Sequence, residues 1–164
     1  MYFVTICANN RECLFGETVN STMALNDAGK MIRKWWIELR NKFRGIELDE
    51  YMIMPNHLHG IICIVGADLR VCPSRNIETP QGAHTGAPLH RIIQWVKTMT
   101  TNEYLKNIHD KNWPRLNGKL WHRNYYERVI RNEKELVKIR EYISSNPLQW
   151  NLDEENPETH IGSR

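Results

Sequence analysis

Two histidines separated by a single residue are the most chemically suggestive feature of the sequence. His57 and His59 lie within the run 54–65, whose apolar and β-branched residues are typical of a buried strand. Alternate side chains of a strand point to the same face, so the two imidazoles project side by side with Cα atoms about 6.5 to 7 Å apart. The pair can bind one metal ion, although an H-x-H spacing also arises by chance.

A phenol and a carboxamide are predicted to share one face of the last helix. Asn132 followed by Glu135 has the form of a capping box that begins a helix, and Pro147 is expected to end it. Tyr142 and Asn146 are four residues apart on this helix, about 6 Å along its axis. Each also has a simpler interpretation, Tyr142 as an amphipathic surface tyrosine and Asn146 as part of the helix end.

Aromatic and basic residues cluster just before that helix. Tyr125 and Tyr126 lie among three arginines, a composition that suits stacking on unpaired bases and contact with phosphates. Packing of a strand with a solvated rim accounts for the cluster equally well. An earlier helix, beginning at about Leu89, is predicted to expose a basic side. The candidate nucleic-acid-binding residues are therefore Lys97, Arg123, Tyr125, Tyr126, Arg128 and Arg131.

The remaining segments supply the elements that must position these residues. Strands are predicted at Tyr2–Cys7, Ile46–Met54 and about Tyr125–Ile130, and the second should pair with the histidine strand in antiparallel fashion. Asn26 is a suitable cap for a helix that stops near Gly45. The segment 66–88 is rich in Pro and Gly and is expected to be a mobile loop.

Length and composition favour one domain without a membrane segment. The chain has 164 residues, and its 22 Lys plus Arg against 19 Asp plus Glu give a net charge of +3, too small to indicate a polyanion partner by itself. The four cysteines show no metal-type spacing and predict reduced thiols of a cytoplasmic protein. We expect a domain at 1–154 and a tail at 155–164.

Taken together, the motifs resemble a known family. The segment Asp49–Ile62 is similar to the H-hydrophobic-H segment of single-tyrosine HUH transposases. The segments Leu120–Glu133 and Glu141–Pro147 resemble, more specifically, the REP-associated tyrosine transposases. The combination of M-P-N-H-x-H with a later Y-I-x-x-N-P is much more specific than either motif alone, and the similarity spans nearly the whole chain.

This resemblance implies a fold and a reaction. The fold would be α+β, a single domain whose antiparallel sheet has helices packed mainly on one face, as in the ferredoxin/RRM-like HUH fold. Tyr142 would attack a phosphodiester of single-stranded DNA beside a REP-like hairpin, forming a 5′-phosphotyrosine and freeing a 3′-hydroxyl. His57 and His59 would hold Mg²⁺ or Mn²⁺, with Asn146 as third ligand where insertion-sequence relatives usually have Gln. A monomer is favoured over a dimer.

Two alternative functions remain open at this point. One is a DNA-hairpin-binding protein that no longer cleaves. The other is a metal-dependent phosphodiesterase that uses His57 and His59 without a covalent tyrosine intermediate.

Overall fold

A four-stranded antiparallel sheet forms the centre of the molecule, in the order β4-β5-β1-β6. The computed structural model describes residues 1–65, 88–153 and 155–157. The elements are β1 (Tyr2–Cys7), β2 (Gly16–Val19), β3 (Thr22–Leu25), α1 (Asp27–Lys42), β4 (Ile46–Ile53), β5 (His57–Ile64), α2 (Leu89–Asp110), β6 (Tyr126–Val129) and α3 (Glu133–Gln149). Short 3-10 turns lie at Asn9–Arg11 and Trp150–Leu152.

The alternation of side chains along β5 divides the core between the two faces of the sheet. Leu58 and Ile62 join a large cluster with the buried stripes of α1 and α2, whereas Ile61 and Cys63 join a smaller cluster with α3. The predicted α+β fold class is confirmed, with two helices on one face and α3 on the other. His57 and His59 are separated from Ile61 by an even number of positions, so their side chains point to the same face of the sheet, toward α3.

A glycine in the histidine strand allows close packing on the opposite face. Gly60 points toward α1, where a Cβ atom would lie 2.3 Å from Cζ2 of Trp36. The Trp36 side chain is fully buried against this gap. The strand that carries the histidines is therefore supported directly by the α1 core.

The helix ends follow local sequence signals with one exception. Asn26 Oδ1 accepts from Gly29 N at 3.0 Å, and Asn132 Oδ1 accepts from Glu135 N at 2.9 Å, as the capping patterns predict. The expectation that Pro147 ends the last helix is wrong, because α3 continues to Gln149. A proline in the last turn removes one backbone donor without breaking the turns before it.

Other expectations meet mixed outcomes. The hairpin β2–β3 was not predicted, since its turn uses Asn20 and Ser21 at positive φ instead of glycine.

Cys7 and Cys13 are free thiols, but Cys63 is disulfide-bonded, so the prediction of four reduced thiols is wrong for Cys63. Cys72 and nearly all of the predicted mobile loop at 66–88 lie outside the described residues. Within the described part of the chain, no helix is long and apolar enough to cross a bilayer.

Candidate active site

The two histidines meet beneath α3. His57 is fully buried and His59 is 4% exposed, and their Nε2 atoms are 3.0 Å apart. Burial lowers the pKa of both imidazoles to about 3, and for His59 the neighbouring His57 adds to this effect. Both rings are therefore neutral at physiological pH, the form in which imidazole binds metals.

Asn56 fixes the orientation and tautomer of His57. Its Nδ2 donates to the carbonyl oxygens of Arg11 at 3.0 Å and Glu155 at 2.7 Å, so its Oδ1 is the atom that faces the imidazole. His57 Nδ1 lies 2.9 Å from that oxygen and must donate to it. Since Nδ1 carries the hydrogen, Nε2 of His57 presents a lone pair toward the centre of the site.

Strand β1 supports His59 in a similar way. Thr5 pairs with His59 across the strands, and its Oγ1 is 2.8 Å from His59 Nδ1. Phe3, also on β1, stacks against the His59 ring at a centroid distance of 5.6 Å. The Thr5 hydroxyl can accept from Nδ1–H, which leaves Nε2 of His59 available as a ligand.

Helix α3 carries Tyr142 next to His59, and Asn146 of the same helix lines the same cavity as both residues. The Tyr142 hydroxyl lies 3.4 Å from His59 Nε2, and its side chain is 42% exposed. Asn146 is 2% exposed, and its Oδ1 is buried without a hydrogen-bond partner among the described residues. A buried acceptor without a donor costs about 1 to 3 kcal/mol, which a bound cation would offset.

An ion pair fixes α3 relative to the sheet. Arg140 donates through Nε and Nη2 to the two carboxylate oxygens of Asp49, at 2.7 and 2.6 Å. Asp49 lies where the register of β4 shifts between Leu48 and Tyr51, and such irregularities redirect side chains. The bidentate contact sits two residues before Tyr142, so it restrains the helix next to the phenol.

Asp153 is the site residue that sequence reasoning missed. One of its carboxylate oxygens is 3.9 Å from His57 Nε2, and the ligand atoms of His57, His59 and Asp153 all lie within 4.8 Å of one another. Asp153 follows the 3-10 turn at Trp150–Leu152 that folds the chain back after α3. No motif spacing marks it, because the turn rather than a helix or strand period sets its position.

The available donor atoms fit a hard divalent cation. Two neutral imidazole nitrogens and the Asp153 carboxylate lie within 4.8 Å of one another, and Asn146, whose buried oxygen has no hydrogen-bond partner among the described residues, lines the same cavity as His59 and Asp153. Nitrogen and oxygen ligands without thiolate suit Mn²⁺, and carboxylate and amide oxygens suit Mg²⁺. The residues present therefore fit the cation that the sequence resemblance implies.

The predicted DNA-binding residues have different surroundings. Lys97 Nζ donates to the carbonyl oxygens of residues 122, 123 and 124 at 3.0, 3.3 and 3.1 Å, so it would have to give up these bonds to contact a phosphate. Arg128 pairs with Glu135, and the Tyr125 hydroxyl donates to Glu127 at 2.9 Å. Tyr126 is 55% exposed. Arg131 donates its backbone N–H to Glu135 at 2.9 Å, and its charge contributes to lowering the pKa of that carboxyl.

Two other candidate nucleophiles near the site are held protonated. Burial raises the pKa of the Cys7 thiol to about 12, with a further contribution from Glu155. Burial and the hydrogen bond to Glu127 raise the pKa of Tyr125 to about 12. Neither group forms its anion readily, so neither is a good candidate nucleophile.

A cavity of about 570 Å³ opens beside Tyr142. His59 and Asn146, which are both buried, define its inner end together with Asp153, and the exposed Tyr126 defines its outer end together with Tyr125. The buried ligand atoms and the exposed phenol therefore face one space that a substrate can enter.

Comparison with known proteins gives a relative and a shared fold. The chain is 38% identical over 160 residues to an uncharacterized protein of Haemophilus influenzae, covering 93% of this chain and 83% of the relative. No family model matches. A REP-associated tyrosine transposase bound to a REP hairpin has a TM-score of 0.57 and 18% identity, over 93% of this chain and 69% of that chain. The chain thus belongs to the family of the Haemophilus influenzae protein and has the fold of the REP-associated tyrosine transposase.

Proposed function

We propose that this protein is a DNA strand transferase that cleaves and rejoins single-stranded DNA beside REP-like hairpins through Tyr142. The observation that carries the proposal is the 3.4 Å distance between the Tyr142 hydroxyl and His59 Nε2, at the edge of a group of metal-ligand atoms. The shared fold with a transposase that was solved bound to a REP hairpin supports the choice of substrate.

The proposed chemical step is a transesterification. The Tyr142 oxygen forms a bond to the phosphorus of a phosphodiester, and the bond from phosphorus to the 3′ oxygen breaks. The proton lost by the phenol ends on the released 3′-hydroxyl, and the 5′ side stays attached to Tyr142. The number of phosphoester bonds is unchanged, so the reverse attack by a 3′-hydroxyl rejoins strands without a nucleotide cofactor.

The residues around Tyr142 have distinct roles in this proposal. A phenol has an ordinary pKa of about 10, and a divalent cation would favour its anion and offset the charge of the phosphate. His57, His59, Asp153 and Asn146 would hold that cation. The packing of α3 and the Asp49 contact keep the phenol directed into the cavity.

Nucleophile and ligands come from the same chain. Tyr142 lies 3.4 Å from His59 within one chain, which supports a proposed site that needs no residue of a second copy. This arrangement is compatible with the monomer expected from sequence, and assembly across a dimer is not needed to complete the proposed site. Size-exclusion chromatography with light scattering would measure the oligomeric state directly.

A covalent-adduct assay tests the proposal. The protein is incubated with Mn²⁺ and a labelled single-stranded oligonucleotide that carries a REP-type hairpin with its flanking sequence. Tyr142→Phe is compared with wild type and with Tyr51→Phe, a matched control because Tyr51 packs against Trp36 rather than at the site. We expect a denaturation-resistant adduct that requires Mn²⁺ and Tyr142 and that Tyr51→Phe retains.

The other outcomes identify the alternative functions. Cleavage that produces no adduct and persists in Tyr142→Phe would indicate a metal-dependent phosphodiesterase. Hairpin binding without cleavage, on an oligonucleotide that an active relative cuts, would indicate a binding protein. Either result would overturn the strand-transfer proposal.

A further inference from the structure

The cavity beside Tyr142 has two chemically different ends. Its inner end contains the metal-ligand atoms, while its outer end is formed by aromatic rings and by the amides of Asn124 and Gln149. Among the described residues that line the cavity there is no lysine or arginine. No cationic side chain thus lines the outer end to hold a phosphate, whereas a neutral, planar group with polar edges fits it.

Tyr126 gives the outer end an exposed stacking surface. Its strand β6 pairs Tyr126 with Thr5, which places the ring on the same face of the sheet as the histidines. Phe3 lies between the two parts of the site, because its ring contacts Tyr126 and Tyr142 edge-on at centroid distances of 6.1 Å each. An exposed tyrosine anchored on a buried ring is an arrangement on which a base can stack.

Another part of the outer end is held in place by Lys97. Its ammonium binds three successive carbonyl oxygens at residues 122–124, and it lies 5.5 Å from the centre of the Tyr125 ring. Three charge-assisted hydrogen bonds on consecutive residues restrain a segment that lacks regular structure. Asn124 and Tyr125 thus line a preformed surface rather than a loop that must order on binding.

We propose that the outer end of this cavity binds one unpaired nucleobase of the DNA strand, adjacent to the phosphate that Tyr142 attacks. The base stacks on Tyr126, and the amides of Asn124 and Gln149 face its polar edge. A carboxamide offers both a donor and an acceptor, so this subsite can distinguish between bases as well as hold one. The inference rests on the proposed function, since it specifies part of the substrate of the same site.

The test is equilibrium binding of two short, unstructured oligonucleotides, one with bases and one with an abasic backbone of equal length. EDTA is present, so that binding is measured independently of metal-dependent cleavage. We expect wild type to bind the base-containing strand more tightly. Tyr126→Leu should weaken that binding roughly tenfold and leave the abasic strand unaffected, whereas Tyr126→Phe keeps the ring and the preference.

The test has a matched control variant, and it also compares the binding of the two strands by wild type. Val129→Ala changes an exposed residue of the same strand that pairs with Tyr2 and faces away from the site, so both affinities should stay at wild-type values. Equal binding of the two strands by wild type, or an unchanged preference in Tyr126→Leu, would overturn the subsite. Failure of the proposed function has a different signature, the absence of a Tyr142-dependent adduct.

Discussion

Asn56→Ala provides a direct test of how the metal site is organised. The side chain of Asn56 is 1% exposed and makes three hydrogen bonds, to the two backbone carbonyls and to His57 Nδ1. The alanine variant leaves all three partners without their hydrogen bond in a buried region. At roughly 1 kcal/mol for each bond, with a larger cost for any partner that water cannot reach, we expect a loss of about 2 to 4 kcal/mol in the free energy of unfolding.

The same substitution should weaken metal binding through the His57 tautomer. Without an acceptor at Nδ1, the hydrogen is free to move to Nε2, and the ring is no longer held in place. Loss of such an outer contact typically lowers metal affinity by about 10- to 100-fold. Urea denaturation measures the first effect, and calorimetric titration with Mn²⁺ measures the second under conditions where the variant is folded.

Asn26→Ala is the matched control for this experiment. Asn26 also donates to a backbone carbonyl, that of Leu14, and it caps α1 far from the histidines. Its replacement should cost about 1 kcal/mol of stability and leave Mn²⁺ affinity unchanged. If Asn56→Ala binds Mn²⁺ as tightly as wild type does, the reasoning about the tautomer is refuted. An unchanged unfolding free energy would refute the hydrogen-bond assignment itself.

Four further predictions concern the support of the site. Gly60→Ala should lower the unfolding free energy by about 1 to 3 kcal/mol, since its Cβ would overlap the buried Trp36 ring, and urea denaturation should show this. Arg140→Met should cost about 1 kcal/mol, a value reduced for the partial exposure of the pair. The contribution of this ion pair depends on pH, because Arg140 lowers the pKa of Asp49 in the folded state. The unfolding free energy of wild type should exceed that of Asp49→Asn by its full amount above about pH 3.9, and the difference should disappear as the pH falls through the lower folded-state pKa. Denaturation curves measured across that pH range test this. Lys97→Met should release the 122–124 segment and reduce affinity for the base-containing oligonucleotide but not for the abasic one.

Local patterns were sufficient to predict most elements of the fold. Some features depend only on neighbours in the sequence. They are the limits of β1, the position of His57 and His59 on one face of β5, and the helix caps at Asn26 and Asn132. The separation of Tyr142 and Asn146 by one helical turn likewise requires only a continuous helix. Such features can be predicted because strand and helix periods fix the direction of side chains over short distances.

The features that could not be predicted depend on contacts between distant segments. Asn56 orients His57 through bonds to the backbone of residues 11 and 155, which are far from it in the sequence. Lys97 was predicted to contact DNA because it is basic and on the exposed side of a helix. The three carbonyl groups that bind its ammonium come from a segment without regular structure, whose path no periodic pattern describes.

The distribution of exposure across the site limits how a substrate can approach it. His57 is fully buried and Asn146 nearly so, whereas Tyr142 and Tyr126 are about half exposed and line the same opening. A phosphate that enters this opening therefore comes close both to the phenol that is proposed to attack it and to the ligand atoms. A strand lying along this opening would place its next base against Tyr126, because Phe3 contacts both tyrosine rings. The geometry thus couples base binding and nucleophilic attack, and a substitution at Tyr126 should raise the KM for adduct formation more than it lowers kcat.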